Sequence, residues 1–178
     1  GSKVKKWIRS MPALRSVKKE DLNLADRWIL SRLASTVREA RDAIAGYRFS
    51  EMANQLYQFT WHEFCDWYIE MSKLSLSGTL GDDPRKTRRI LTAVLDHVVR
   101  LLHPVMPFVT EEIWQALMSE GGERASGASA GSPSIMVQPY PQPEPGWMDP
   151  EAEEKVGFLT EVIHALRNLR AEMNCPPA

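Results

Sequence analysis

Apolar residues return every three or four positions through most of this chain, and no segment alternates apolar and polar over a strand's length. Leu22, Ala25, Ile29, Leu33, Val37, Ala40 and Ile44 form one stripe, predicting a helix from about Asn23 to Ala45 that Gly46 stops. A second helix is predicted over 50–76. Ser50 is its expected N-cap, and Met52, Leu56, Phe59, Phe64, Trp67, Met71 and Leu74 are its apolar positions. Ala53, Tyr57, Trp61 and Tyr68 widen that stripe, so the helix should be central, with more than one neighbour. The aromatic set Trp61, Phe64, Trp67 and Tyr68 reads as core packing, with room for one exposed ring.

Asp83 followed by Pro84 signals a third start: the carboxylate accepts orphan amide hydrogens, and proline gives up a donor that would be unpaired anyway. Ile90, Leu91, Val94, Leu95, Val98, Leu101 and Leu102 supply its buried face. Pro104 and Pro107 break that helix and open a fourth carrying Ile113, Trp114 and Leu117. Asp149–Pro150 repeats the cap-and-proline signal before a last helix with Val156, Leu159, Ile163, Leu166 and Met173 on one face. The expected fold is all-α, an up-and-down bundle of four to five helices.

Between the fourth and last helices the composition changes. Gly121–Pro133 is small, polar and glycine-rich, and is expected to be a flexible loop. Ser134–Pro145 has proline at 139, 141, 143 and 145, which favours extended backbone, with Ile135, Val137 and Tyr140 as expected anchors on the bundle. The organisation is therefore a lead-in over 1–21, a helical bundle over 22–120, a loop and proline-rich ribbon over 121–148, and a C-terminal helix over 149–178. Gly1–Ser2 reads as an expression-vector remnant, and the chain reads as a piece of something longer.

Composition narrows the function classes. The 43% hydrophobic and 25% charged residues are the balance of a globular domain. There is no run long and apolar enough to span a bilayer and no signal-peptide pattern, so a cytoplasmic location is expected. Cys65 and Cys175 have no metal-ligand spacing and suggest reduced thiols. A net charge of −1 argues against nucleic-acid binding through bulk charge, although local cationic patches act independently of the total.

Three such patches are present. Arg27, Arg38 and Arg41 fall within roughly 60° of one another on the first helix, with Ser31 in the same sector and Arg32 nearer the stripe's border. They could track a phosphate backbone, or form the solvated face of an amphipathic helix. Arg85, Lys86, Arg88 and Arg89 oppose the dipole of the third helix, a placement that a phosphate partner would relieve. Arg167 and Arg170 share a face of the last helix and could serve RNA or pair with bundle carboxylates.

Chemistry is harder to find. His62, Cys65 and Asp66 stand at i, i+3 and i+4, yet a metal site would need a further ligand from another helix, and structural packing is the better reading. Met71-Ser72-Lys73 echoes part of an ATP-binding KMSKS loop, but it falls inside an aromatic-rich helix and lacks the flanking residues. No HIGH-type motif, Walker loop or GxGxxG occurs, and no nucleophile with a partnered base can be named. Neither a catalytic residue nor a metal or cofactor site is expected in this chain.

Five segments in order carry a resemblance: LADRWILSRL (24–33), WHEFCDWYIEMSK (61–73), HPVMPFVTEEIW (103–114), SIMVQPYP (134–141) and LRNLRAEMNCPP (166–177). Together they resemble the anticodon-binding helical domain of bacterial-type valyl-tRNA synthetases over nearly the whole chain. The resemblance implies a module that holds the anticodon stem-loop of valine tRNA, splaying bases for readout while basic residues fix the backbone. It implies that the parent joins valine to tRNA with ATP, and that the catalytic core, a partner of this module, and the editing domain lie elsewhere. On this resemblance Arg27, Arg38 and Arg41, then Arg32, become the expected tRNA contacts, with Trp7 and Arg9 in the same site. Residues 1–21 depart from the NKLWN-type segment usual at the start of the domain, and Cys175 stands where an aliphatic residue is usual. The rival reading is a helical protein-interaction module with no RNA specificity of its own.

Overall fold

The computed structural model describes residues 19–78, 83–120 and 134–174. Among them are five long helices and no strand. Helix α1 is Leu24–Ala45. Helix α2 is continuous but changes pitch, being α-helical over Phe49–Tyr57, π-helical over Gln58–Tyr68 and α-helical again over Ile69–Leu76. Helices α3, α4 and α5 are Pro84–Leu102, Pro107–Glu120 and Pro150–Glu172. Short 3-10 turns at Lys19–Asp21, Ile135–Val137 and Pro145–Trp147 punctuate the connections. The all-α bundle expected from the apolar periodicity is the fold observed.

Three N-termini carry side-chain caps, two of them announced in the sequence by Asp-Pro. Asn23, Asp83 and Asp149 accept hydrogen bonds from the amides of Asp26, Arg85 and Ala152. Helix α2 differs. It starts at Phe49, one residue before the expected Ser50 cap, after Arg48, which makes no side-chain cap. The reason lies in the corner before it. Arg48 N donates to Ala43 O at 2.8 Å and Tyr47 N to Ile44 O at 3.0 Å, the paired bonds of a Schellman closure of α1. That closure needs a left-handed residue, and Tyr47 supplies it at φ 57° while Gly46 sits at φ −91°. Glycine is one position early, and a tyrosine bears the strain.

The core gathers around α1. Ile29, Leu33, Val37 and Ala40 pack with Leu56, Phe59, Phe64 and Tyr68 of α2 and with Ile90, Val94, Val98 and Leu101 of α3. The π segment explains the broad apolar stripe of α2. Bonds reaching back five residues, as from Ile69 N to Phe64 O, widen each turn and bring Phe59, Phe64 and Tyr68 onto one buried face. Of the rings Trp61, Phe64, Trp67 and Tyr68, Trp61 is the exposed one, and Phe49 and Tyr57 on the same helix are exposed as well. A smaller cluster of Val99, Trp114 and Ile135 joins α3 to α4 and the ribbon. There, buried Asp96 accepts from Trp114 Nε1 and from Arg100.

The ribbon is buried at Ile135 and held by hydrogen bonds further along. Ile135 is buried and its amide, with the Ser134 hydroxyl, donates to Glu111 Oε2. Tyr140 is half-buried and reaches Leu101 O at 3.4 Å. Val137, expected as an anchor, is exposed because the 3-10 turn rotates it outward. Helix α5 docks by its first two turns, where Ala152 and Val156 are buried. Leu159, Ile163, Leu166 and Met173, expected to face the bundle, are exposed. The expected loop over 121–133 lies outside the described residues, as does most of the connection at 79–82.

Candidate nucleic-acid interface

The arginine sector of α1 is divided between packing and solvent. Arg27 Nε lies 2.7 Å from Asp149 Oδ2, and its Nη2 lies 3.4 Å from Glu151 Oε2. Arg32 makes a two-pronged pair with Glu63, 2.9 Å to each carboxylate oxygen, and reaches Glu153 at 3.2 Å. Ser31, between them, is fully buried, donates to Glu153 and accepts from the amide of Asp149. What the helical wheel presents as an outer face is, over Arg27–Arg32, the seat of α5. These neighbours hold both guanidinium groups above their ordinary pKa, the bonds to Asp149 and Glu63 contributing most. The acidic first turn of α5 (Asp149, Glu151, Glu153) is the signal in the sequence that could have revealed this seat.

Beyond Arg32 the same sector opens. Arg38 is exposed, and no carboxylate among the described residues pairs with it. Arg41 is half-buried and donates through Nη1 to Pro141 O at 3.2 Å, leaving its charge uncompensated by a carboxylate there. Arg100 on α3 makes the matching bond to Pro139 O at 3.2 Å. The proline ribbon therefore runs between two helices whose arginines hold its carbonyls. Trp7 and Arg9 lie outside the described residues.

The other candidates resolve individually. Arg85 is 91% exposed and only 4.0 Å from Asp83, while Arg88 is exposed nearby. Lys86 turns back to Asp21, 3.8 Å from its carboxylate. Arg167 lies over the ring of Trp67, 5.3 Å from the centroid, and His164 meets the same ring edge-on. An indole face is thus its partner where a carboxylate was an alternative, a contact that also orients the second half of α5. The sequence reading had Trp67 only as a core residue, so this Trp67–His164–Arg167 cluster was missed.

His62 pairs with Asp66 at 3.1 Å on an exposed turn, and no group of three His, Cys, Asp or Glu side chains converges among the described residues. Cys65 is half-buried, and burial pushes its thiol above the ordinary value. Lys73 pairs with Glu70 and Ser72 is buried, as ordinary helical residues.

Comparison with known proteins fits this geometry. Residues 26–178 match the family described as the anticodon-binding domain of tRNA ligase. The chain is similar to the valine–tRNA ligase of Geobacter sulfurreducens, 48% identical over 160 residues, which is 89% of this chain and 17% of that protein. It is 44% identical over 165 residues to that of Carboxydothermus hydrogenoformans, covering 92% of this chain and 17% of the relative. The corresponding figures for Geobacillus stearothermophilus are 45% over 155 residues, 87% and 16%. The chain thus spans about one-sixth of the length of the curated relatives it matches. It belongs to the family of anticodon-binding domains of tRNA ligases.

Proposed function

We propose that this chain holds the anticodon stem-loop of valine tRNA for a valine–tRNA ligase of which it is one domain. The observation that carries the reading is the family match over 26–178, joined to 44–48% identity with valine–tRNA ligases. The parent, in the cytoplasm, would use ATP to join valine to that tRNA at a catalytic core outside this chain. The chain itself would bind and position RNA without a cofactor.

The structure supports a division of labour among the basic residues. Arg38 presents an open charge, and Arg41 lies one turn further along the same sector. We assign these two to the RNA backbone, with Arg9 of the preceding segment. Arg27 and Arg32 act on the RNA indirectly, by fixing α5 and hence the Trp67–His164–Arg167 cluster. An indole beside a guanidinium suits stacking on a splayed base, and exposed arginines suit phosphates.

The test is a titration of the chain with valine tRNA, and with the same tRNA carrying a changed anticodon, at two salt concentrations. Binding that weakens steeply with salt and discriminates the anticodon is the expected result. Salt-insensitive binding, or none, would reject the reading for this domain acting alone.

A further inference from the structure

Helix α5 carries two apolar stripes and uses one of them on its own bundle. Ala152 and Val156 are buried there, and His164 and Arg167 hold the ring of Trp67. About 120° around the same helix, Leu159, Val162, Leu166, Leu169 and Met173 form a second stripe, each between 40 and 67% exposed. Their spacing alternates three and four residues, the narrow seam with which one helix packs between others. Phe158 and Ile163 border the seam and are exposed as well.

A groove of matching character lies between other helices. Helices α2 and α4 form its banks and α3 its floor, around an open hollow of about 550 Å³. Leu56, Phe64 and Val98 are buried at its base, while Trp61, Met106 and Val109 stay exposed along the banks. A second hollow of about 780 Å³ continues it past Ala53 and Val105, which line both. No Asp, Glu, Lys or Arg lines either one, so a phosphate backbone would find no counter-charge there. Exposed apolar surface this continuous calls for a partner.

We infer that seam and groove fill each other across two copies of this chain, the distal half of α5 from one copy lying in the α2–α3–α4 groove of the other. This is the helix-in-groove mode, with both surfaces among the described residues. Their lengths agree. The seam from Leu159 to Met173 is about 21 Å long at 1.5 Å per residue, and the α2 bank from Ala53 to Cys65 is about 18 Å. Within one copy they do not meet: no seam residue lines the groove, and the Trp67 ring pins α5 through His164 and Arg167. Each copy offers one seam and one groove, so a two-fold pair fills both at once. Together they engage roughly 20 residues a side, the lower end of a stable interface. The pairing makes no use of Arg38 or Arg41 and is tested without RNA.

Sedimentation equilibrium should find mostly dimer at about 100 µM, since interfaces of this size reach micromolar affinity or tighter. Leu166→Glu with Leu169→Glu should give a monomer of unchanged helicity, because both side chains are more than half exposed on their own bundle. A parent chain that stays monomeric, or a double variant that still dimerises, would overturn the pairing. Cys65 lines the groove and reports which surfaces meet. In a Cys175→Ser background, at least one of Val162→Cys, Leu166→Cys and Leu169→Cys should form an intermolecular disulfide to Cys65, mapped by peptide mass spectrometry. It should form at least tenfold faster than with Glu161→Cys, which is exposed but off the seam. Equal rates would reduce the result to random collision, and disulfides between two seam cysteines would pair α5 with α5. Either outcome, or no disulfide at any seam position, overturns the proposal.

Discussion

Tyr68 donates its phenolic hydrogen to Asp26 Oδ1 at 2.6 Å, and both side chains are buried. Thr87 approaches the other carboxylate oxygen at 3.4 Å. One contact point therefore joins the first turn of α1, the end of the π segment and the start of α3. Burial, reinforced by the charge and hydrogen bond of Asp26, pushes the Tyr68 hydroxyl far above its ordinary value of 10.0.

The sign of that shift predicts alkaline sensitivity. The folded state holds the Tyr68 proton more tightly than the unfolded chain does, so the full contribution is present below about pH 10. Above it the unfolded chain releases the proton and the folded one does not, removing about 1.4 kcal/mol per pH unit. Tyr68→Phe should cost about 2 kcal/mol at pH 7, because it removes a hydrogen bond to a charged group. It should also flatten the loss between pH 10 and 11. Urea unfolding of both proteins across that range checks this, and equal slopes would reject it.

Tyr47 should be the easier place to gain stability. Its left-handed φ of 57° costs a non-glycine residue about 1–2 kcal/mol, and its side chain is 81% exposed. Tyr47→Gly should therefore raise unfolding free energy by about 0.5–1 kcal/mol, after the added entropy of glycine in the unfolded chain. Gly46→Ala should change stability by less than about 0.5 kcal/mol. Gly46 has an ordinary φ, and a Cβ there meets the movable tip of Arg48, which must shift, and the Asp42 carbonyl at an ordinary contact distance of 3.4 Å. The two urea midpoints decide which residue carries the strain.

Helix number and most boundaries were legible because each helix has a stripe and two starts carry an Asp-Pro signal: Asp83 and Asp149 cap as expected, whereas Ser50 does not. What escaped depended on tertiary partners. The pitch change in α2 satisfies Phe59, Phe64 and Tyr68 together, a demand made by α1 and α3 and invisible in a 3.6-residue wheel. The arginine sector misled for the same reason. A wheel marks Arg27 as polar and outward, whereas the carboxylates that cover it come from more than a hundred residues later. The cation–π contact of Arg167 on Trp67 likewise joins residues a hundred positions apart.

His97 should make the bundle acid-sensitive. Burial and the nearby Arg100 charge lower its pKa below 6.5, although its ring bonds Ala93 O at 2.8 Å and Asp96 and Glu144 lie near. The unfolded chain then takes up this proton while the folded one resists. The contribution is intact above about pH 6.5 and is lost as pH falls below it. His97→Gln should flatten the fall of Tm between pH 6.5 and 5. A fall as steep as that of the parent chain would place the acid sensitivity elsewhere.

The arginines of α1 should separate stability from RNA binding. Arg32→Ala strips the partner from Glu63 and one partner from Glu153, all three side chains being half-buried, and should cost about 1–2 kcal/mol. Arg38→Ala touches no ion pair among the described residues and should stay within about 0.5 kcal/mol. For tRNA the order should reverse. Arg38→Ala with Arg41→Ala should weaken binding about tenfold at unchanged helicity and reduce the salt slope by about one per lost phosphate contact. Arg32→Ala, measured where the variant is fully folded, should alter affinity less and leave the salt slope intact. Urea melts paired with fluorescence titrations at two salt concentrations resolve both axes. If Arg32→Ala changed the slope as much as the double variant, its guanidinium would have to leave Glu63 for a phosphate, and the clamp on α5 would open when RNA binds.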